Sequence, residues 1–237
     1  MRKFRRLIVI VLVFSLVFGI WYVESNTAQE TRGQLSQTRY VDPKGYFKIV
    51  PPAGWRIQEY PQDLRGKVAF INPESSNIDL RVLVNAVGFS TVEELIAMCK
   101  NFEKSYGIKS NIEEITFSGG PAVRRSAHLE GYKLYMIDFL VGKVKHNLQY
   151  AAPSNKYDKY LPVVMKSMET YEPVFRDISD QEVTKHLVAK KLRLAQLMTE
   201  TGNFELALEY VKEGLDVSPK DADLLKLKKQ IEDKLKN

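Results

Sequence analysis

A single cysteine, Cys99, occurs in 237 residues, so no disulfide can close within the chain. That scarcity does not argue against export, because many exported proteins carry no disulfide. Histidine is almost as rare, at His128, His146 and His186. His128 and His146 fall on expected strands and could approach each other across a sheet, but no third ligand accompanies them, and no metal site is expected. The signatures HExxH, CxxC and GxSxG are all missing. Gly119-Gly120-Pro121 reads as a turn, because it lacks the Lys-Ser/Thr pair of a phosphate loop. Glu93-Glu94 and Glu113-Glu114 are consecutive pairs, so their carboxylates diverge where glycosidase acids converge. No catalytic, cofactor-binding or metal-binding residue is therefore nominated, and no enzyme is expected.

Excess positive charge is also limited. The formal charge is +6, and Arg2, Lys3, Arg5 and Arg6 supply a cluster at the start. What remains is diffuse, so no nucleic-acid partner is expected. Arg124 and Arg125 leave opposite faces of an expected strand. One of them beside Arg81 could hold an anion, but a solvated basic surface is the ordinary reading.

The stretch Leu7–Val23 is uncharged and follows the basic cluster. As a helix it would span about 25 Å, the short end for a bilayer. Trp21 and Tyr22 would suit the headgroup boundary. The expectation is a signal-anchor (residues 1–23) in a single-pass membrane protein, with the rest outside the cytoplasm. The alternative is a cleaved signal peptide and secretion. Residues 24–41 are polar and read as a linker.

From residue 42 to 175 the pattern is that of an α+β domain, an antiparallel sheet flanked by helices. Phe47 and Ile49 mark a strand that leaves its ladder at Pro51 and Pro52, and Gly54 permits a turn that returns Trp55 to the core. Ile78, Leu80, Val82, Val84 and Ala86 share one face of a strand whose other face carries Asp79, Arg81 and Asn85. Ser90 and Glu93 predict a capping box, followed by Val92, Leu95, Ile96, Cys99, Phe102 and Tyr106 at helical spacing. Cys99 on that stripe reads as core. Further strands are predicted over Asn111–Phe117 and Ala122–Leu129, then a hairpin turning at Gly142-Lys143. Ser154 is expected to cap a second helix, in which Pro162 predicts a kink or a late start.

GYFKIVPPAGW, with Phe47, Ile49, Pro51 or Pro52, Gly54 and Trp55, followed by IDLRVLV and the STVEEL helix, resembles the PsbP-like fold. This superfamily includes the extrinsic photosystem II protein P and DcrB-like bacterial proteins. The resemblance covers about Tyr40–Val174. It implies an antiparallel sheet between helices and a non-catalytic accessory or binding role, and it transfers no photosystem contacts.

Residues 176–237 show helical spacing throughout. Ser179 and Glu182 predict a capping box, Gly202-Asn203 a break, and Ser218-Pro219 the start of a third helix. Val188–Asp221 resembles one tetratricopeptide repeat: Leu194 and Ala195 match its Leu-Gly pair, Met198 an aromatic position, Ala207 its alanine, Val211 an aromatic position and Pro219 its terminal proline. Gly214 replaces a small alanine, and Lys191 stands where the repeat has tryptophan. One repeat is too few for an independent superhelix, so this all-α tail must lean on the sheet, self-associate or join a partner.

The expectation for function is a membrane-tethered accessory or scaffold protein working through protein contacts, with residues 7–23 in the membrane and the tail on a partner. The alternative is an exported carrier or sensor for a small molecule, bound between sheet and helix.

Overall fold

The protein is described by a computed structural model over residues 33–60, 68–175 and 179–236. Alternating apolar residues build one seven-stranded antiparallel sheet in the order β3-β4-β5-β9-β8-β7-β6. Its strands are β3 (Arg56–Glu59), β4 (Val68–Ile71), β5 (Asp79–Ala86), β6 (Ser110–Phe117), β7 (Gly120–Leu129), β8 (Tyr132–Val141) and β9 (Val144–Pro153). A small second sheet joins β1 (Tyr40–Val41), β2 (Phe47–Ile49) and β10 (Glu172–Pro173) in the order β1-β2-β10. The run β6 to β9 is a meander closed by two-residue turns. At two of them both turn residues have positive φ, namely Ser118 (49°) with Gly119 (80°), and Glu130 (35°) with Gly131 (87°). That is the backbone of the type I′ turn, whose twist matches the paired strands.

The sheet is covered on both faces. Leu80, Val82, Val84, Ile137, Phe139, Leu148 and Tyr150 are buried with Phe47 and Ile49 of β2 and with Tyr157, Tyr160, Val164 and Met168 of α2 (Ser154–Glu169). On the opposite face, α1 (Val92–Tyr106) sets Leu95 and Cys99 on Val123 of β7. Helix α1 connects the interior strand β5 to the far edge strand β6, which is why β6 is left outermost.

Two caps differ from their sequence expectation. The box at α1 is formed by Thr91 and Glu94, one residue beyond Ser90 and Glu93. Helix α2 has no side-chain cap, since Ser154 is already helical and its N–H donates to the Gly131 carbonyl at 2.7 Å. Pro162 lies inside α2 on its exposed side, and the helix runs through it.

The PPAGW corner is held by the chain before it. Ser36 N–H donates to the Pro51 carbonyl at 2.8 Å, Ala53 N–H donates to the Gln34 carbonyl at 2.9 Å, and Leu35 bridges Pro52. Proline has no N–H to give, so neighbours supply the donors. Trp55 packs edge-on against Tyr160 at 6.2 Å between ring centres.

The C-terminal region is helical: α3 (Asp180–Glu200), α4 (Phe204–Val217) and α5 (Ala222–Lys236). Ser179 and Glu182 form the capping box expected at α3. Val183 enters the sheet core and Leu187 packs against it, whereas Val188, Ala195 and Met198 join Ala207, Val211, Leu224, Leu227 and Ile231 in a second core. Burying two aliphatic side chains stabilises by about 1.5–3 kcal/mol each when complete. The exposed Lys143–Asp180 pair beside them is worth about 1 kcal/mol at most. Packing therefore fixes α3 to the sheet. Helix α5 starts at Ala222, capped by the Asp221 carboxylate on the Leu224 N–H, and not at Pro219.

The membrane expectation is corrected. Among the described residues no helix is long and apolar enough to cross a membrane. The longest, α3, has 21 residues and carries Lys185, Lys190, Lys191 and Arg193. The stretch Leu7–Val23 lies outside the described residues, so the signal-anchor, the single-pass topology and membrane contact through residues 7–23 form no part of the functional account.

Candidate functional site

Three places gather polar chemistry, and the first lies under α1. Asp138 of β8 has no exposed surface. Arg125 of β7 donates to its Oδ2 from Nε at 2.9 Å and from Nη2 at 2.7 Å. Lys145 Nζ at 3.2 Å and Asn147 Nδ2 at 3.0 Å donate to Oδ1. Burial alone would raise the Asp138 carboxyl, but Lys145 and Arg125 outweigh it and hold it below the usual carboxylate range. Each carboxylate oxygen accepts two donors, leaving no room for a ligand. The cluster is a brace across three strands.

The anion site considered for Arg81 with Arg124 or Arg125 is also corrected. Strand register does place Arg81 and Arg125 in one row, through Gln149 and Met136. Yet Arg81 pairs with Asp79 at 2.7 Å, Arg125 with Asp138, and Arg124 with Glu113 on the other face. Each cation already has a carboxylate partner.

The second place is the core around His146. Its ring stacks on Phe139 at 5.2 Å, its Nδ1 lies 2.7 Å from the Tyr171 hydroxyl, and its Nε2 is buried with no hydrogen-bond partner. Burial pushes His146 down to about 4, so the ring is neutral near pH 7. His128 does not approach it. Register sets His146 opposite Phe139 and then Ala122, while His128 is exposed six positions further along β7, about 20 Å away. Cys99 is fully buried, and burial, with the Asp138 charge adding to it, pushes its thiol up to about 11. It is a packing residue that stays protonated.

The third place is the corner where β6 turns into β7. Glu114, Ile115, Thr116, Gly119, Gly120 and Pro121 line an open groove of about 580 Å³. Strand β6 has β7 on one side and no described strand on the other. The pair Phe117–Gly120 closes the two-residue turn. In this turn type the closing pair exchanges both hydrogen bonds, so Phe117, Ile115, Glu113 and Asn111 bond to β7. Ser110, Ile112, Glu114 and Thr116 therefore direct N–H and C=O outward. Glu113 is tied to Arg124, whereas Glu114 is exposed on the α1 face of the strand. Gly119 is exposed and has no side chain, so its backbone N–H is accessible at the rim.

Sequence alone reads Gly119-Gly120-Pro121 as the turn, whereas the two turn residues are Ser118 and Gly119. The available signal was Ser-Gly between two alternating runs, a two-residue hairpin cue. That β6 is an edge is a property of strand order, which no local pattern carries.

No protein-family model matches the chain, and no curated protein matches it. Among solved structures it is similar to cyanobacterial PsbP (CyanoP) from Synechocystis, at 10% identity over 64% of this chain and 98% of that one, with a TM-score of 0.45. A protein from Bacteroides thetaiotaomicron is 13% identical over 78% of this chain and 72% of its own, with a TM-score of 0.41. A Pseudomonas aeruginosa protein of unknown function, described as a putative regulator, is 16% identical over 60% and 98%, with a TM-score of 0.37. Likenesses this loose carry no argument. The PsbP-like reading of Tyr40–Val174 and the tetratricopeptide-like reading of Val188–Asp221 stay resemblances.

Proposed function

We propose that the chain is a non-catalytic binding module, a carrier or sensor that takes its ligand in the groove at the β6–β7 corner. The observation that supports it most is that open groove, a shallow surface lined by Glu114, Ile115, Thr116, Gly119, Gly120 and Pro121. A carboxylate (Glu114), a hydroxyl (Thr116) and the backbone of Gly119 border it. The site lies at the sheet edge, not between sheet and helix. The non-catalytic part draws support from what the reactive side chains already do: Cys99 is held protonated, Asp138 is saturated with donors, and His146 is neutral inside the core.

A fragment screen followed by amide NMR tests this reading. Binding fragments should shift Glu114, Thr116, Gly119 and Gly120 and lose affinity in Glu114→Ala. Shifts confined to other elements would refute it.

A second reading, an accessory protein working through contacts of its helical tail, is favoured by Val217 on α4 and by Leu225 and Leu235 on α5, all exposed. Large exposed apolar side chains also occur on β1, β3 and α1 (Val41, Ile57, Phe102) and at Val174 and Phe175, so they are not confined to the tail. Crosslinking mass spectrometry that places partner contacts on α4 and α5, and not on β6, would favour this second reading over the groove.

A further inference from the structure

We infer that the ligand of the β6–β7 corner is an extended peptide segment of a partner protein, which adds as a strand to β6 and carries a basic side chain opposite Glu114. The inference rests on the groove reading above and names the class of ligand.

The backbone makes the first part of the case. Strand β6 runs eight residues, Ser110–Phe117, in unbroken register with β7. Apart from Glu113 and Glu114, its outer side carries no edge protection: it contains no proline, no lysine and no bulge, and no described strand pairs with it. The opposite edge, β3, has only four residues. Four residues of β6 offer outward N–H and C=O groups in strand spacing, which is the recognition surface for strand addition.

Charge decides the occupant. The chain is basic overall, with 35 Lys and Arg against 29 Asp and Glu, but the middle of this edge is Glu113-Glu114. Glu113 is neutralised by Arg124, and Glu114 is exposed beside the groove. A second copy pairing β6 with β6 in the register centred on Glu114 would set that exposed carboxylate opposite itself, and like charges in that position repel. A strand with Lys or Arg at that position is complementary. On the other face of β6, Ile115 and Phe117 are half-buried against the core, so neighbouring residues of the incoming strand should be apolar. The peptide that fits alternates basic and apolar residues.

Thr116→Pro is the informative variant. Its N–H points outward, so proline there removes a donor for the incoming strand while leaving the β6–β7 bonds intact. The probe is a short end-blocked peptide of alternating valine and lysine, titrated by fluorescence anisotropy into the full chain. The expected result is saturable binding that weakens about tenfold in Thr116→Pro and similarly in Glu114→Lys. Glu114→Lys should in turn bind a peptide of alternating valine and glutamate, and the native chain should not. Equal binding by the native chain and Thr116→Pro overturns the inference. So does a dimer that Thr116→Pro dissolves with no peptide bound, since this assigns the edge to a second copy. If the peptide fails while fragments still shift Gly119 and Gly120, strand addition is wrong and the groove reading stands. If neither moves those amides, both are wrong.

Discussion

Arg125 and Asp138 meet inside the protein with two guanidinium nitrogens on one carboxylate oxygen, at 2.9 and 2.7 Å. The arrangement joins β7 to β8 beneath α1, and Lys145 and Asn147 extend it to β9. Removing one partner leaves a buried charge without compensation. Asp138→Ala should destabilise by about 3–5 kcal/mol, whereas replacing the whole cluster with apolar side chains of similar volume should cost far less. Urea unfolding of the two variants checks this. A loss below about 1 kcal/mol for Asp138→Ala would mean that water reaches the cluster.

His146 predicts a pH dependence. Its folded-state value is depressed from 6.5 to about 4, so the unfolded chain takes up the proton first as pH falls. Stability should be full above pH 6.5 and decline as pH drops towards about 4, by ~3 kcal/mol in total. The double variant His146→Phe with Tyr171→Phe removes the titrating ring together with its hydroxyl partner. It should lose that dependence between pH 6.5 and 4 while staying near native stability at pH 7. An unchanged pH profile would mean that His146 is not the group responsible.

Gly214 is a point of close approach between the C-terminal helices. A Cβ there would lie 2.7 Å from Leu224 Cδ1 and 3.2 Å from Lys191 Cβ. Gly214→Val should therefore cost about 1–3 kcal/mol by overpacking and shift the thermal transition down. Ala207→Arg, at a fully buried position between the helices, should be worse and should make residues 188–236 susceptible to protease. Unchanged protease resistance in Ala207→Arg would contradict the packing described.

The attachment of α3 to the sheet can be probed separately. Val183→Asp places a carboxylate in the sheet core and should release α3, exposing it to proteolysis, with a loss of about 2 kcal/mol or more. Asp180→Ala only removes an exposed ion pair and should change stability by less than about 1 kcal/mol. The two variants behaving alike would argue against apolar docking.

Much of this fold is legible locally. Alternation at Ile78–Ala86, the helical stripe through Cys99, the Gly142-Lys143 turn and the Ser179 capping box all recur in the structure, because each is settled by residues close in sequence. Each misreading has a physical cause. The cap fell on Thr91 in place of Ser90, and the last helix on Asp221 in place of Ser218, because adjacent hydroxyls and carboxylates compete for the same free N–H groups. Arg125 turned inward because Asp138, Lys145 and Asn147 come from other strands. The candidate site was the least legible part. NIEEITF is an ordinary strand sequence, and only the position of α1, which carries the chain from an inner strand to the outside, makes it an edge.

Amide hydrogen exchange along β6 tests the central claim most directly. In the free protein, Ser110, Ile112, Glu114 and Thr116 should exchange rapidly, and Asn111, Glu113, Ile115 and Phe117 slowly. Adding the valine–lysine peptide should slow the first set and leave the second unchanged. Uniform protection along β6 in the free chain, or no change in the first set with saturating peptide, would contradict the account.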